Sequence, residues 1–213
     1  MLYVQKEILI NVGKSSYYLE AAKKLLPVKQ RCGWKLIGAY ARVMGSTISV
    51  GDRNIFELWE VPDAATIQKL HADPEYLALS DDLFAAIAKE ESKIFEPFDV
   101  TPEAAAVAAT IPPVTGTPLY LHASLHLRRG AKAQFRELIS TCVPFFAKAG
   151  WRLLGSYQSV TGPNDSIIDF WELPSGAAIE EAMHDERLFP LLPKIHANIV
   201  DETFTVLTRL PIG

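Results

Sequence analysis

Imidazole, hydroxyl and carboxylate groups fall close together in two stretches, Tyr120-Leu121-His122-Ala123-Ser124-Leu125-His126 and Ile167-Ile168-Asp169-Phe170-Trp171. His122 oriented by Asp169 is the pattern of a general base, and Ser124 is the hydroxyl that such a base would activate. Strand geometry weighs against a nucleophilic role. Side chains two residues apart on a strand stand about 6.6 Å apart, and the sequence holds no nucleophile elbow or oxyanion loop. A metal site meets a similar obstacle, because His122 and His126 would stand about 13 Å apart, too far to share one ion. A set of His122, Asp169 and a carboxylate from elsewhere stays open, but no metal and no cofactor is assigned. His184 joins His122 and Asp169 as an acid-base candidate, since an imidazole changes protonation near neutral pH. It shares its place after a short helical run with His71, and a helix-capping role is the competing reading for both.

These residues belong to a duplicated chain. Gly33-Trp34-Lys35-Leu36-Ile37-Gly38-Ala39-Tyr40 returns as Gly150-Trp151-Arg152-Leu153-Leu154-Gly155-Ser156-Tyr157, 117 positions later. At the same offset Gly13 meets Gly130, Glu20 meets Glu137 and Pro27 meets Pro144. Further on, Phe56-Glu57-Leu58-Trp59-Glu60 matches Ile168-Asp169-Phe170-Trp171-Glu172 at an offset of 112, so the second copy has the shorter loop. All four tryptophans are paired in this way. Cys32 and Cys142 align with Ala149 and Leu25, so neither thiol belongs to what was duplicated, and both read as core fillers.

Each copy alternates between strand and helix signals. Residues 2–10 and 119–127 show the period of two expected of a strand with one packed face. A glycine then breaks the strand, and a helical pattern follows, with Ser15-Ser16 as its cap in the first copy. Pro27 and Pro144 predict a kink or an early stop. Residues 34–41 and 55–61 read as strands joined by a long hairpin loop containing Ser46, Gly51 and Asp52. Asp63 and Ser175 are placed to cap the next helix, and a further helix through Ile87 leads to last strands at 94–99 and 203–210. The expected units are therefore 1–99 and 118–213, with an Ala/Pro-rich linker at 100–117. Strand, helix, strand, strand, helix, strand is the order of a ferredoxin-like α+β sheet with helices on one face. The other face needs cover, which the duplicated partner can give.

Length and composition agree with two compact halves. The chain has 213 residues, 49% of them hydrophobic, and a net charge of -4 with a pI near 5.8. Its scattered Lys and Arg residues speak against nucleic acid as a partner. No apolar run is long enough for a membrane span, and with no signal-like leader after Met1 a cytoplasmic location is expected.

The two βαββαβ patterns, the Phe-Glu-Leu-Trp-Glu and Asp-Phe-Trp-Glu strands, the proline after each, and the helices bearing His71 and His184 together resemble the NIPSNAP family. The first strands lack the Glu-Leu-Arg pattern usual there. The resemblance implies the dimeric α/β-barrel superfamily, here as an intrachain pseudodimer with sheets face to face. It also implies an interior able to hold a small molecule. Strand parity then expects Phe56 and Leu58, or Ile168 and Phe170, to face the helices. Tyr3, Glu57, Trp59, Tyr120, Ser124, His126 and Trp171 would form a ligand-binding wall with His122 and Asp169. The leading reading is a small-molecule-binding protein, of monooxygenase or isomerase type if it acts by cofactor-free acid-base chemistry. A non-catalytic interaction protein is the alternative, and a haem-binding barrel the third. The second copy, with its imidazoles, is expected to carry any acid-base role. A homodimer of the whole chain is a further expectation.

Overall fold

The structure is a computed structural model that describes residues 1–45 and 54–212. The loop expected between the second and third strands lies largely outside the described residues. The chain divides into two compact units, Met1–Glu96 with Arg209–Gly213, and Pro97–Thr208.

The first unit runs β1 (Leu2–Ile10), α1 (Ser15–Arg31), β2 (Lys35–Gly45), β3 (Asn54–Val61), α2 (Ala64–His71), α3 (Pro74–Phe84) and β4 (Ile87–Pro97). Its strands pair antiparallel in the order β4-β1-β3-β2. The second unit has α4 (Pro102–Ala109), β5 (Leu119–Leu127), α5 (Lys132–Lys148), β6 (Arg152–Ser159), β7 (Ser166–Leu173), α6 (Ala177–Met183), α7 (Leu192–His196) and β8 (Ile199–Arg209). Its sheet repeats the order, β8-β5-β7-β6. Each half thus carries the expected βαββαβ plan.

Helix α1 buries Tyr18, Ala21, Ala22, Leu25 and Val28, a stripe at spacings of three and four that packs on Val4, Ile8, Ile55 and Trp59. In the second unit Phe135, Ile139, Cys142 and Val143 of α5 pack on Leu121, Leu125, Ile167 and Trp171. The tryptophans meet edge to face in both cores, Trp34 with Trp59 and Trp151 with Trp171, each pair 5.8 Å between ring centres.

Several local expectations are corrected. Pro27 and Pro144 do not end their helices, which continue to Arg31 and Lys148. The buried residues beyond the prolines, Val28 and Lys29 in α1 and Ala147 in α5, hold the last turn in place although one amide donor is missing. Neither Ser15-Ser16 nor Ser175 caps a helix, whereas Asp63 does so, accepting from the Thr66 amide at 2.8 Å. Strand β4 begins at Ile87 rather than 94, because Ile87–Ser92 pairs along β1 from Ile10 to Lys6. The expected linker is partly a helix. Thr101 caps α4, and Ala104 and Ala108 are buried in the core of the second unit. The C-terminal segment also departs from the expected boundary, since Leu210 donates to the Ala39 carbonyl and Ile212 joins the first core.

The repeated Gly-Ala-Tyr and Gly-Ser-Tyr sequences have a shared cause. Each sits at a register shift, between Leu36 and Gly38 or Leu153 and Gly155. The ring of Tyr40 folds back over Gly38, and that of Tyr157 over Gly155, so that an added Cβ would collide with the phenol. Gly38→Ala and Gly155→Ala should each cost about 1–3 kcal/mol of stability, the usual result of overpacking. In a background of Tyr40→Ala the cost of Gly38→Ala should shrink. Urea unfolding of the four-member cycle checks this, and additive losses would show that the ring is not the obstacle.

Candidate functional site

Register decides which side chains share a sheet face, because residues directly opposite in an antiparallel pair point the same way. Lys6 lies opposite Glu57, and Val4 opposite Trp59. Val4 and Trp59 belong to the helix-packed core, so Glu57 and Lys6 face the helices as well. In the second unit Ala123 lies opposite Asp169 and Leu121 opposite Trp171, again on the helix side. His122 lies opposite Phe170, on the other face.

The expected parity is therefore reversed. Glu57, Trp59, Asp169 and Trp171 pack toward helices, while Phe56, Leu58, Ile168 and Phe170 share the opposite face with Tyr3, Tyr120, His122, Ser124 and His126. The cause is that β3 and β7 are buried on both faces, so hydrophobicity alone does not mark the packed side. His122 and Asp169 are separated by the sheet and do not form a base and its orienting carboxylate.

The remaining candidates have local partners. His122 is buried edge-on to Phe170. His126 is half-buried, and its Nδ1 has no hydrogen-bond partner among the described residues. The Tyr120 hydroxyl donates to Glu172 at 3.4 Å, a carboxylate that also receives Arg152 Nε at 2.8 Å and the Val114 amide at 3.1 Å. His184 Nδ1 lies 2.8 Å from the Glu180 carbonyl at the end of α6. It borders a cavity of about 410 Å³ with Phe145, Lys148, Asp185 and Arg187. Among the described residues, no three His, Cys, Asp or Glu side chains converge as a metal ion would require.

Beneath the helices of the first unit lies an array that the sequence reading did not assemble. Glu57 is 2% exposed. It accepts the Tyr18 hydroxyl at 2.5 Å and Trp59 Nε1 at 2.8 Å, with Lys29 Nζ at 3.6 Å. The Lys29 ammonium also stands 4.2 Å from the centre of the Trp59 ring. Nearer the surface, Lys6 Nζ pairs with Glu90 Oε1 at 2.6 Å, which also accepts Ser92 Oγ at 3.2 Å. His71, at the end of α2, meets Tyr76 of α3 edge-on at 5.6 Å.

Electrostatics sort these groups. Burial alone would push Glu57 up, but Lys29, Lys6 and the two hydrogen bonds outweigh it and hold the carboxyl below its ordinary value. Burial pulls Lys29 down, and the nearby Glu57 does not fully restore it. For Lys6 the balance tips the other way, since Glu90 and Glu57 together overcome burial and raise it. Burial and the Lys6 charge lower His71, so its imidazole is neutral near pH 7. Burial and Glu57 raise Tyr18 well above the normal phenol value, which keeps it a donor.

The second unit answers the same positions with apolar groups. Ala123, Phe135 and Phe146 stand where the first has Lys6, Tyr18 and Lys29. Phe146 lies edge-on to Trp171 at 5.2 Å, much as Lys29 covers Trp59. Asp169 replaces Glu57, is 2% exposed, and accepts the Ser156 hydroxyl from the neighbouring strand.

No family model and no curated protein matches the sequence. Solved structures do. The putative monooxygenase from Lactobacillus acidophilus NCFM superposes with a TM-score of 0.67 at 12% identity, covering 98% of this chain and 93% of that one. A mutant chlorite dismutase from Candidatus Nitrospira defluvii gives 0.61 at 12% identity, covering 99% and 92%. A NIPSNAP domain protein from Burkholderia xenovorans, at 21% identity and a TM-score of 0.41, covers 48% of this chain and 99% of its own. The whole chain shares the dimeric α/β-barrel fold with the first two.

The two buried acids differ in one testable way. Burial raises the Asp169 carboxyl to about 6, with only the Ser156 bond opposing it. At acid pH this group is protonated in both folded and unfolded chains. As pH rises past the unfolded value, only the unfolded chain ionises freely, so stability falls until the folded group ionises as well. Relative to Asp169→Asn, the native protein should lose roughly 3 kcal/mol between about pH 4 and about pH 7. Urea unfolding across that range measures it, and parallel curves for the two proteins would exclude the linkage.

Proposed function

We propose that the protein binds a small molecule and moves protons on it, and that the ionised array of the first unit, rather than the imidazoles of the second, carries this chemistry. The observation behind this reading is that one copy buries Lys6, Lys29 and Glu57 where the other packs Ala123, Phe146 and the single acid Asp169. Buried ion pairs are seldom more stable than apolar packing of the same volume. An apolar solution exists in the same chain, so stability alone does not account for the charges. Groups retained against stability are typical of functional sites.

The chemistry available is general acid-base catalysis. The array joins carboxylates, ammonium groups, a neutral imidazole at His71 and protonated phenols at Tyr18 and Tyr76, with environments that push their proton affinities in opposite directions. A fold shared with a protein described as a putative monooxygenase agrees with an enzymatic reading. Tyr18 and Trp59 fix both oxygens of Glu57, which leaves it the anchor of the array. Of the remaining groups, His71 is exposed and Glu90 half-buried, whereas Lys6 and Tyr76 are buried beneath them.

A graft of the second copy onto the first tests this. The variant Lys6→Ala, Tyr18→Phe, Lys29→Phe, Glu57→Asp should melt at the native temperature or higher, and should lose the ligand-dependent thermal shift and turnover that a small-molecule screen finds with the native protein. A large drop in melting temperature, with ligand response intact, would make the array structural and favour a non-catalytic protein. Adding haem to the same samples covers the third reading, since a Soret band that depends on His126 would displace the proposal.

A further inference from the structure

The end of the long helix meets the end of the next helix on the same backbone plan in both units, but with different charges. The Trp34 amide bonds to the Lys29 carbonyl and the Trp151 amide to that of Phe146, while the two indoles donate to the Thr66 and Ala178 carbonyls. The Asp73 and Asp185 amides bond in the same way to Leu70 and Ala182. These matched bonds make Arg31 equivalent to Lys148, Asp73 to Asp185, and Glu75 to Arg187. In the first unit the charges satisfy one another, since Arg31 reaches Asp73 at 3.1 Å and Glu75 at 2.8 Å. The second unit reverses one sign. Arg187 stands in place of Glu75, holds Asp185 through Nε at 2.8 Å and through Nη2, and lies over the Phe145 ring at 4.8 Å. The acceptor that Glu75 gives Arg31 therefore has no counterpart beside Lys148.

Open space lies at this place. Lys148, Arg187, Asp185 and Phe145 line the cavity of about 410 Å³, and Glu181 and Glu186 complete its charged wall. The volume is that of a small-molecule site. Glu181 and Glu186 stand where the first unit has Lys69 and Pro74, so both acids, like Arg187, are particular to this copy. With Asp185 engaged by Arg187, the two cations favour an anionic group and the two acids a cationic one. A plain carboxylate would be repelled by the acids, and a plain amine by the cations. We propose that this cavity binds a free zwitterionic α-amino acid, its carboxylate between Lys148 and Arg187 and its ammonium toward Glu181 and Glu186. The ligand carboxylate then plays for Lys148 the part that Glu75 plays for Arg31. Arg187 is prepared for it, because Asp185 and Phe145 fix the guanidinium plane while Nη1 takes no part in the Asp185 contact. Phe145 and Ala149 supply an apolar wall for an aliphatic side chain. The site belongs wholly to the second unit and does not rest on the acid-base reading above.

Isothermal titration calorimetry on the full chain, with L-leucine as probe, tests the site. Isocaproate, which lacks the ammonium, and isoamylamine, which lacks the carboxylate, should each bind about tenfold more weakly than leucine, the effect of one lost charge-assisted contact. Arg187→Glu gives Lys148 the partner that Arg31 has, and should abolish leucine binding without lowering the melting temperature. Lys148→Met changes an exposed side chain at the end of α5, so its expected weakening of about tenfold cannot be assigned to unfolding. Arg31→Met, the equivalent change in the first unit, should leave leucine binding as it is. The site is overturned by leucine that shows no saturable binding, by either analogue binding as tightly as leucine, or by leucine binding untouched in both second-unit variants. An equal loss with Arg31→Met overturns it too.

Discussion

The carboxylate of Glu57 is the constraint around which the first unit is arranged. It sits on a central strand, under α1, where water cannot solvate it. Its ionisation therefore obliges the fold to deliver Tyr18 and Lys29 from one helix and Trp59 from the same strand face. Tyr18 and Lys29 are eleven positions apart in α1, close to three helical turns, so both lie on the buried stripe and reach the same strand. Continuation of α1 past Pro27 follows from this arrangement, because Lys29 lies in the turn after the proline. The charge, the helix length and the tryptophan contact are one solution to one desolvation problem.

The second unit shows what the same scaffold does when that problem is absent. With Phe135 and Phe146 on the helix, the space under α5 fills with rings, and Phe146 stacks on Trp151 at 4.9 Å. Asp169 is left with Ser156 as its hydrogen-bond donor, and the shorter side chain gains no ammonium. The two copies share strand order, tryptophan geometry and the glycine-tyrosine bulge, yet bury opposite kinds of chemistry against the same sheet face. Strand order and bulge are set by backbone requirements, which tolerate such exchange. Ionisation is set by neighbours, which do not.

That contrast explains what could be read in the sequence. The duplication, the paired tryptophans and the glycines were visible because they repeat, and they suffice for the βαββαβ plan. The placement of Glu57 and Asp169 is not legible in the same way, because Ile55 to Trp59 are all buried and alternation carries no information about which side meets the helices. The array was nonetheless written in the sequence. Lys6 interrupts the apolar series of Val4, Ile8 and Ile10, and Lys29 falls on the apolar stripe of α1. Aligned against Ala123 and Phe146, each is a charge where the other copy has none. The imidazoles mark the other copy, which holds His122, His126, His184 and His196, and so point away from this signal. The helix within segment 100–117 is hidden for a different reason: its alanines, weak as core formers alone, pack well once a helix such as α5 is close by.

Trp59 and Trp171 occupy equivalent places but sit in unlike fields. One has an ammonium 4.2 Å from its ring centre and donates its indole N–H hydrogen bond to an ionised acid, while the other is met by the edge of a phenylalanine ring. Indole absorption and emission respond to nearby charge, so the protein carries two optical probes of matched geometry. One is sensitive to the protonation of its surroundings, and the other serves as its reference.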